Sequence, residues 1–149
     1  MKKEKLKNAS WEIIKLLLSS TLGFLFAYIT FSKQYNATEK ARLNDNLNKI
    51  LDVNLQYPFV DDSAFIVKWN LNKYSNTDSS LRYQTYCEYV FDFLQNVCEY
   101  YKYDKKEIEN FIDINDLIFQ QKGWWDMPEQ KNSQAYPEKF KKFINSYFK

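Results

Sequence analysis

The sequence predicts an all-α protein. A membrane-spanning helix over residues 13–32 follows a basic segment, 1–12, and precedes one compact helical bundle over residues 36–149. Three observations carry that prediction. The 149 residues include only two glycines and three prolines beside 45% hydrophobic and 19% aromatic side chains, so the many tight turns of a sandwich or barrel cannot be built, whereas long helices need neither residue. Leu16 to Ser32 reads LLLSSTLGFLFAYITFS without a charge. Beyond it, apolar residues recur at helical spacing between residues that cap helices.

Seventeen residues is the low edge for a bilayer span. Ile13 and Ile14, with Lys15 reaching back toward the headgroups, extend it to about twenty residues and ~30 Å of helix. Trp11 and Tyr28 fall near interface depth. After Ala27 come Tyr, Ile, Thr, Phe, Ser and Lys, which offer no small-x-small site for a signal peptidase. Lysines and arginines flank both ends almost equally, so charge alone does not orient the span. Lys15, Ser19, Gly23, Ala27 and Thr30 share one side at helical spacing. The Ser19, Gly23 and Ala27 series lets two backbones approach closely, which makes this face the expected oligomerisation contact or, in a larger assembly, a pore lining.

In the soluble part, Asn36 or Thr38 is expected to cap a helix carrying Leu43, Leu47, Ile50, Leu51 and Leu55. It should stop before Pro58, because the residue preceding a proline is pushed out of helical geometry. Asp61-Asp62-Ser63 opens a shorter helix, preferred over a strand, with Phe65, Ile66, Trp69 and Tyr74 inward. The polar run Ser75 to Ser80 is the clearest break. The longest helix follows, from about Ser79 to Tyr103, on a stripe of Tyr83, Tyr86, Val90, Leu94, Val97 and Tyr101. Asp104 and Glu107 make a capping-box spacing for a helix with Ile108, Phe111 and Ile112. Asp113 begins a continuation with Leu117 and Ile118, and Gly123 is expected to stop it in the left-handed conformation. Trp124-Trp125 then reads either as a clamp packed over the bundle or as an exposed recognition element. Pro137 starts a terminal helix with Phe140, Phe143, Ile144 and Tyr147 on one face and Lys139, Lys141 and Lys142 outward. Trp124, Trp125, Lys139 and Lys142 are the candidate partner surface.

Charge and residue type narrow the chemistry. Residues 1–50 hold nine Lys/Arg against four Asp/Glu, residues 51–127 seven against thirteen, and residues 128–149 five against two. An acidic middle between basic ends is a poor nucleic-acid surface. With no histidine, the commonest general base and zinc ligand is missing. Gly23 and Gly123 alone cannot write a phosphate-cradling loop. No metal site, cofactor or small-molecule substrate is expected. Cys87 and Cys98, eleven apart on one helix, stand about 16 Å apart along its axis, too far for a disulfide. Buried reduced thiols fit that spacing and favour a cytosolic domain. Glu88 and Asp92 read as a solvated face, and Arg82 as a structural arginine paired with Asp78 or Glu88. Lysines beside tyrosines, as at Lys102-Tyr103 and from Lys139 to Tyr147, offer weak RNA-stacking positions.

One membrane helix, a long central helix opening Leu81-Arg82-Tyr83, the Asp104/Glu107 cap and a Trp-Trp pair before a basic terminal helix together resemble the small membrane accessory proteins of type VI-B CRISPR systems. The same layout is similar to a group of uncharacterised bacterial single-pass proteins. The resemblance implies a HEPN-like helical bundle facing the cytoplasm from the bacterial inner membrane. It also implies a homo-oligomeric pore that strengthens RNA-targeting antiviral defence by depolarising the cell, with a CRISPR effector or RNA product as further partner. HEPN ribonucleases place a histidine beyond an arginine with four to six residues between the two. Arg82 matches the arginine, but the eligible positions hold Cys87, Glu88 and Tyr89, so the resemblance implies a retained fold without the cleavage chemistry. A membrane-tethered module that recruits protein or RNA through Trp124-Trp125 and the terminal helix is the alternative function.

Overall fold

The computed structural model describes residues 2–73, 75–131 and 133–148, with side chains from Ile14 onward and that of Trp11. Tyr74 and the side chains of Ile13 and of the lysines at 2, 3, 5 and 7 lie outside what is described. Every regular element described is helical. The chain divides into two compact units, Met1–Ala41 and Arg42–Lys149.

The first unit consists of one helix. α1 runs Lys2–Gln56 without interruption, so the cap expected at Asn36 or Thr38 does not form. The reason is local: Gln34 to Ala41 contains no glycine or proline, and an isolated Asn or Thr in mid-helix costs only tenths of a kcal/mol, about 0.5 or so, too little to break a helix already propagating from both sides. From Ile14 onward α1 is long and apolar enough to cross a membrane, and none of its apolar window is buried in the chain. Phe24 is 77% exposed and Tyr28 72%. The hydroxyls of Ser20 and Thr21 turn back to the helix itself, bonding the Leu17 carbonyl at 3.0 and 2.6 Å. Their polarity is thus satisfied without water.

The second unit begins on the last turns of α1, where Leu43 and Ile50 are fully buried. Pro58 ends the helix at Gln56 and opens a 3-10 turn, Pro58–Asp61. α2, Ser63–Leu71, is capped by the Asp62 carboxylate, which accepts from the Phe65 N–H at 2.7 Å. Ile66 and Trp69 face inward as expected. The Trp69 indole donates to Ser80 Oγ at 3.0 Å, tying α2 to the start of the next helix.

α3, Asp78–Tyr100, is the axis of the core. Its stripe of Tyr83, Tyr86, Val90, Leu94 and Val97 is buried, and Phe91 and Phe93 widen it beyond the expected set. It ends three residues earlier than the spacing predicts. Lys102 and Tyr103 take positive φ, 53° and 64°, and their N–H groups return to Glu99 O at 3.1 Å and Cys98 O at 2.8 Å. That pair of bonds is a Schellman stop made without glycine. Cys87 and Cys98 are both fully buried free thiols.

α4, Lys105–Phe111, and α5, Ile114–Ile118, start at the caps the sequence marks: Asp104 accepts from Glu107 N–H at 3.2 Å and Asp113 from Asp116 N–H at 3.3 Å. Two single-turn helices follow, α6 over Lys122–Trp125 and α7 over Pro128–Lys131. Gly123 lies inside α6 and has no positive φ, so it is not a left-handed stop. What it supplies is room. A Cβ there would run into the Asn70 carboxamide of α2, 2.6 Å from Cγ and 2.8 Å from Nδ2. Its carbonyl accepts from Lys73 Nζ at 2.8 Å. α8, Glu138–Asn145, follows Pro137 and buries Phe140 and Ile144, so the terminal helix docks on the bundle.

Candidate functional site

The two tryptophans are core, not surface. Trp124 is 1% exposed and Trp125 3%. Both indoles stack on the Phe91 ring, with centroids 5.3 and 4.5 Å apart and planes within 24°. Trp125 also donates to Asn145 Oδ1 at 2.8 Å and so clamps α8. The clamp is therefore what forms, and the expected partner surface loses its two largest members. Aromatic rings of this size gain most by burial, and a single turn of helix places adjacent indoles against one phenyl ring.

The basic face of α8 is partly engaged as well. Lys139 Nζ stands 4.1 Å from the Tyr103 ring centroid, and Lys105 Nζ 4.8 Å from that of Tyr147. Tyr103 also packs edge-on to Phe143. These tyrosine faces are already covered by the chain's own cations, which leaves little ring area for a base to stack on. Lys142 remains exposed and borders a shallow depression with Trp125 and Asn145. Asp92 is more than solvated charge, because its Oδ1 accepts from Tyr136 OH at 3.0 Å; Glu88 is exposed.

Arg82 pairs with Asp78, as one of the two expected partners, through Nε–H donation at 2.7 Å. Its guanidinium lies over the Tyr57 ring, 4.7 Å from the centroid. Both contacts hold its pKa above the ordinary arginine value, the hydrogen bond to Asp78 contributing most. The three positions where a HEPN histidine would fall are placed differently from one another. Cys87 is buried in the core, and burial pushes its thiol pKa well up. Glu88 and Tyr89 are exposed. Cys98 is likewise pushed up, to about 12, by burial. Neither thiol is poised to react. Among the described residues no cluster of three or more His, Cys, Asp or Glu side chains could hold a metal ion.

What Arg82 does border is a cavity of about 590 Å³ between the last turns of α1 and the first half of α3. Val53, Val60, Leu81 and Tyr86 supply its apolar wall, and Lys49, Asp52, Gln56, Thr85 and Arg82 its polar points. The Tyr86 phenol is pushed up to about 12, chiefly by burial, so it stays neutral at any physiological pH. Only Arg82 among these residues is legible in the sequence as a candidate. The others read as helix-face residues, since a groove depends on the spacing between two helices, which no local pattern encodes.

The strip Lys15, Ser19, Gly23, Ala27 and Thr30 lies on an exposed part of α1. Lys15 Nζ stands 5.8 Å from the Trp11 ring centroid, one turn earlier. A Cβ built on Gly23 meets nothing within 4 Å. No family model, curated protein or solved structure matches this chain.

Proposed function

We propose that this chain is a single-pass membrane protein that self-associates through the Lys15, Ser19, Gly23, Ala27 and Thr30 face and carries residues 42–149 as a non-catalytic binding domain in the cytoplasm. The carrying observation is the exposure of the whole apolar stretch from Leu16 to Phe31. Water does not tolerate a surface of ten large aliphatic and aromatic side chains in one helix, whereas lipid does. Bonds from Ser20 and Thr21 back to Leu17 suit the same medium. Open space at Gly23 supports close approach of a second helix on that side.

A second reading extends the first. Lys15, Ser19 and Thr30 put polar groups on the self-association face, which favours a water-filled lumen if many copies assemble. That would give the membrane-depolarising role in RNA-targeting antiviral defence that the resemblance implies. Mass measurement of the purified chain in lipid nanodiscs tests the main reading: a discrete multiple of 18.1 kDa is expected, and Gly23→Leu should reduce it to the monomer. A monomeric wild type refutes self-association. Release of a potassium gradient from liposomes carrying the wild type, and not from those carrying Gly23→Leu, supports the pore; tight liposomes leave the tethered domain alone.

A further inference from the structure

The cavity between α1 and α3 points to a ligand. One end is marked by Arg82 over Tyr57, the other by Lys49, eight residues up α1 from Tyr57 and therefore about 12 Å away along the helix. A groove of that length with a volume of about 590 Å³ lies within the small-molecule range of roughly 300–1,000 Å³. Its wall is mostly aliphatic and aromatic surface, with Gln56 and Thr85 as its neutral polar side chains. A sugar or nucleotide would leave several hydroxyls without partners along such a wall. Among its charged lining residues Lys49 and Arg82 outnumber Asp52. Arg82 also has donors to spare, because a guanidinium offers five N–H groups and Asp78 accepts from Nε.

An apolar body with one anionic end fits these features. We propose that the groove binds a single-chain fatty-acid carboxylate, its acyl chain against Val53, Leu81 and Tyr89 and its carboxylate on Arg82. The pairing uses the planar fork of the guanidinium for the carboxylate and the apolar wall for the methylenes. It deepens the binding-domain reading above by naming the ligand, and it is independent of self-association.

The test uses the full chain in phosphatidylcholine nanodiscs with a diazirine-bearing palmitate, crosslinked peptides being mapped by mass spectrometry. Labelling within 49–60 and 81–89 is expected, with palmitate competing about tenfold better than methyl palmitate, the gain of a charge-assisted hydrogen bond. Thr85→Trp, at an exposed lining position, should fill the groove and remove that labelling without loss of helicity. Arg82→Gln should retain labelling but compete equally with acid and ester. Labelling confined to 14–32 overturns the ligand proposal while supporting the membrane span; groove labelling with none in 14–32 supports the ligand and refutes the span. Equal competition by acid and ester in the wild type overturns the assignment of Arg82.

Discussion

Gly123 and Asn70 form a pair whose energetics can be worked in advance. Gly123→Ala should be tolerated by its backbone, which has no positive φ, and on helix propensity alone alanine gains up to about 1 kcal/mol. The added methyl, however, overlaps the Asn70 carboxamide, lying 2.6 Å from its Cγ. Asn70 Oδ1 is buried without a hydrogen-bond partner, so the amide sits in a tight seat between α2 and α6 and has no bond that guides it elsewhere. Overpacking of this kind costs about 1–3 kcal/mol. The single variant should therefore lose about 1 kcal/mol net. For a unit of this size that lowers Tm by roughly 4–8 °C. In an Asn70→Ala background the clash is gone, and Gly123→Ala should be neutral or stabilising, which makes the coupling about 2 kcal/mol. Thermal unfolding followed by circular dichroism and by the fluorescence of the neighbouring Trp124 and Trp125 measures all four corners of the cycle. If Gly123→Ala is as damaging in the Asn70→Ala background as in the wild type, close approach is not what the glycine supplies.

Two other outcomes follow from local geometry and burial. Lys102 holds a left-handed φ of 53° at the end of α3, so Lys102→Gly should raise stability by about 1 kcal/mol, read as a higher Tm; an unchanged or lower Tm refutes strain there. Tyr83, Tyr86, Tyr136 and Tyr147 all have pKa values raised by burial, Tyr86 to about 12. In the unfolded chain these phenols ionise near 10, earlier than in the fold, so the stability they confer is complete below about pH 10 and is lost as pH rises through the folded values. Phenolate absorbance should rise in a late step that coincides with loss of helical signal. Titration of all tyrosines near pH 10 with helicity intact would contradict their burial.

The sequence was most legible where chemistry is local. Asp62, Asp104 and Asp113 cap as a carboxylate followed by helical spacing should, and Pro58 ends α1 where sterics require. The α3 stripe follows from period alone. Arg82 with Asp78 is an i, i+4 pair visible in the chain. Less legible were features set by competition or by distant packing. Asn36 and Thr38 are competent caps overridden by helix on both sides. Gly123 looks like a stop but answers to Asn70, 53 residues earlier. Lys102 stops α3 although lysine carries no left-handed preference, because Cys98 and Glu99 carbonyls are there to be met. The groove was not legible at all, since Tyr57, Leu81 and Val60 come together only through the turn at Pro58.

The central claim is that α1 crosses a bilayer between about Ile14 and Ser32. A nitroxide on Phe24→Cys tests it directly in lipid nanodiscs, because the native thiols Cys87 and Cys98 are fully buried with raised pKa values and resist labelling in the fold. A label there should be accessible to oxygen, which concentrates in the hydrocarbon, and shielded from a water-soluble nickel chelate. Free collision with the nickel chelate would place Phe24 in water and contradict the account.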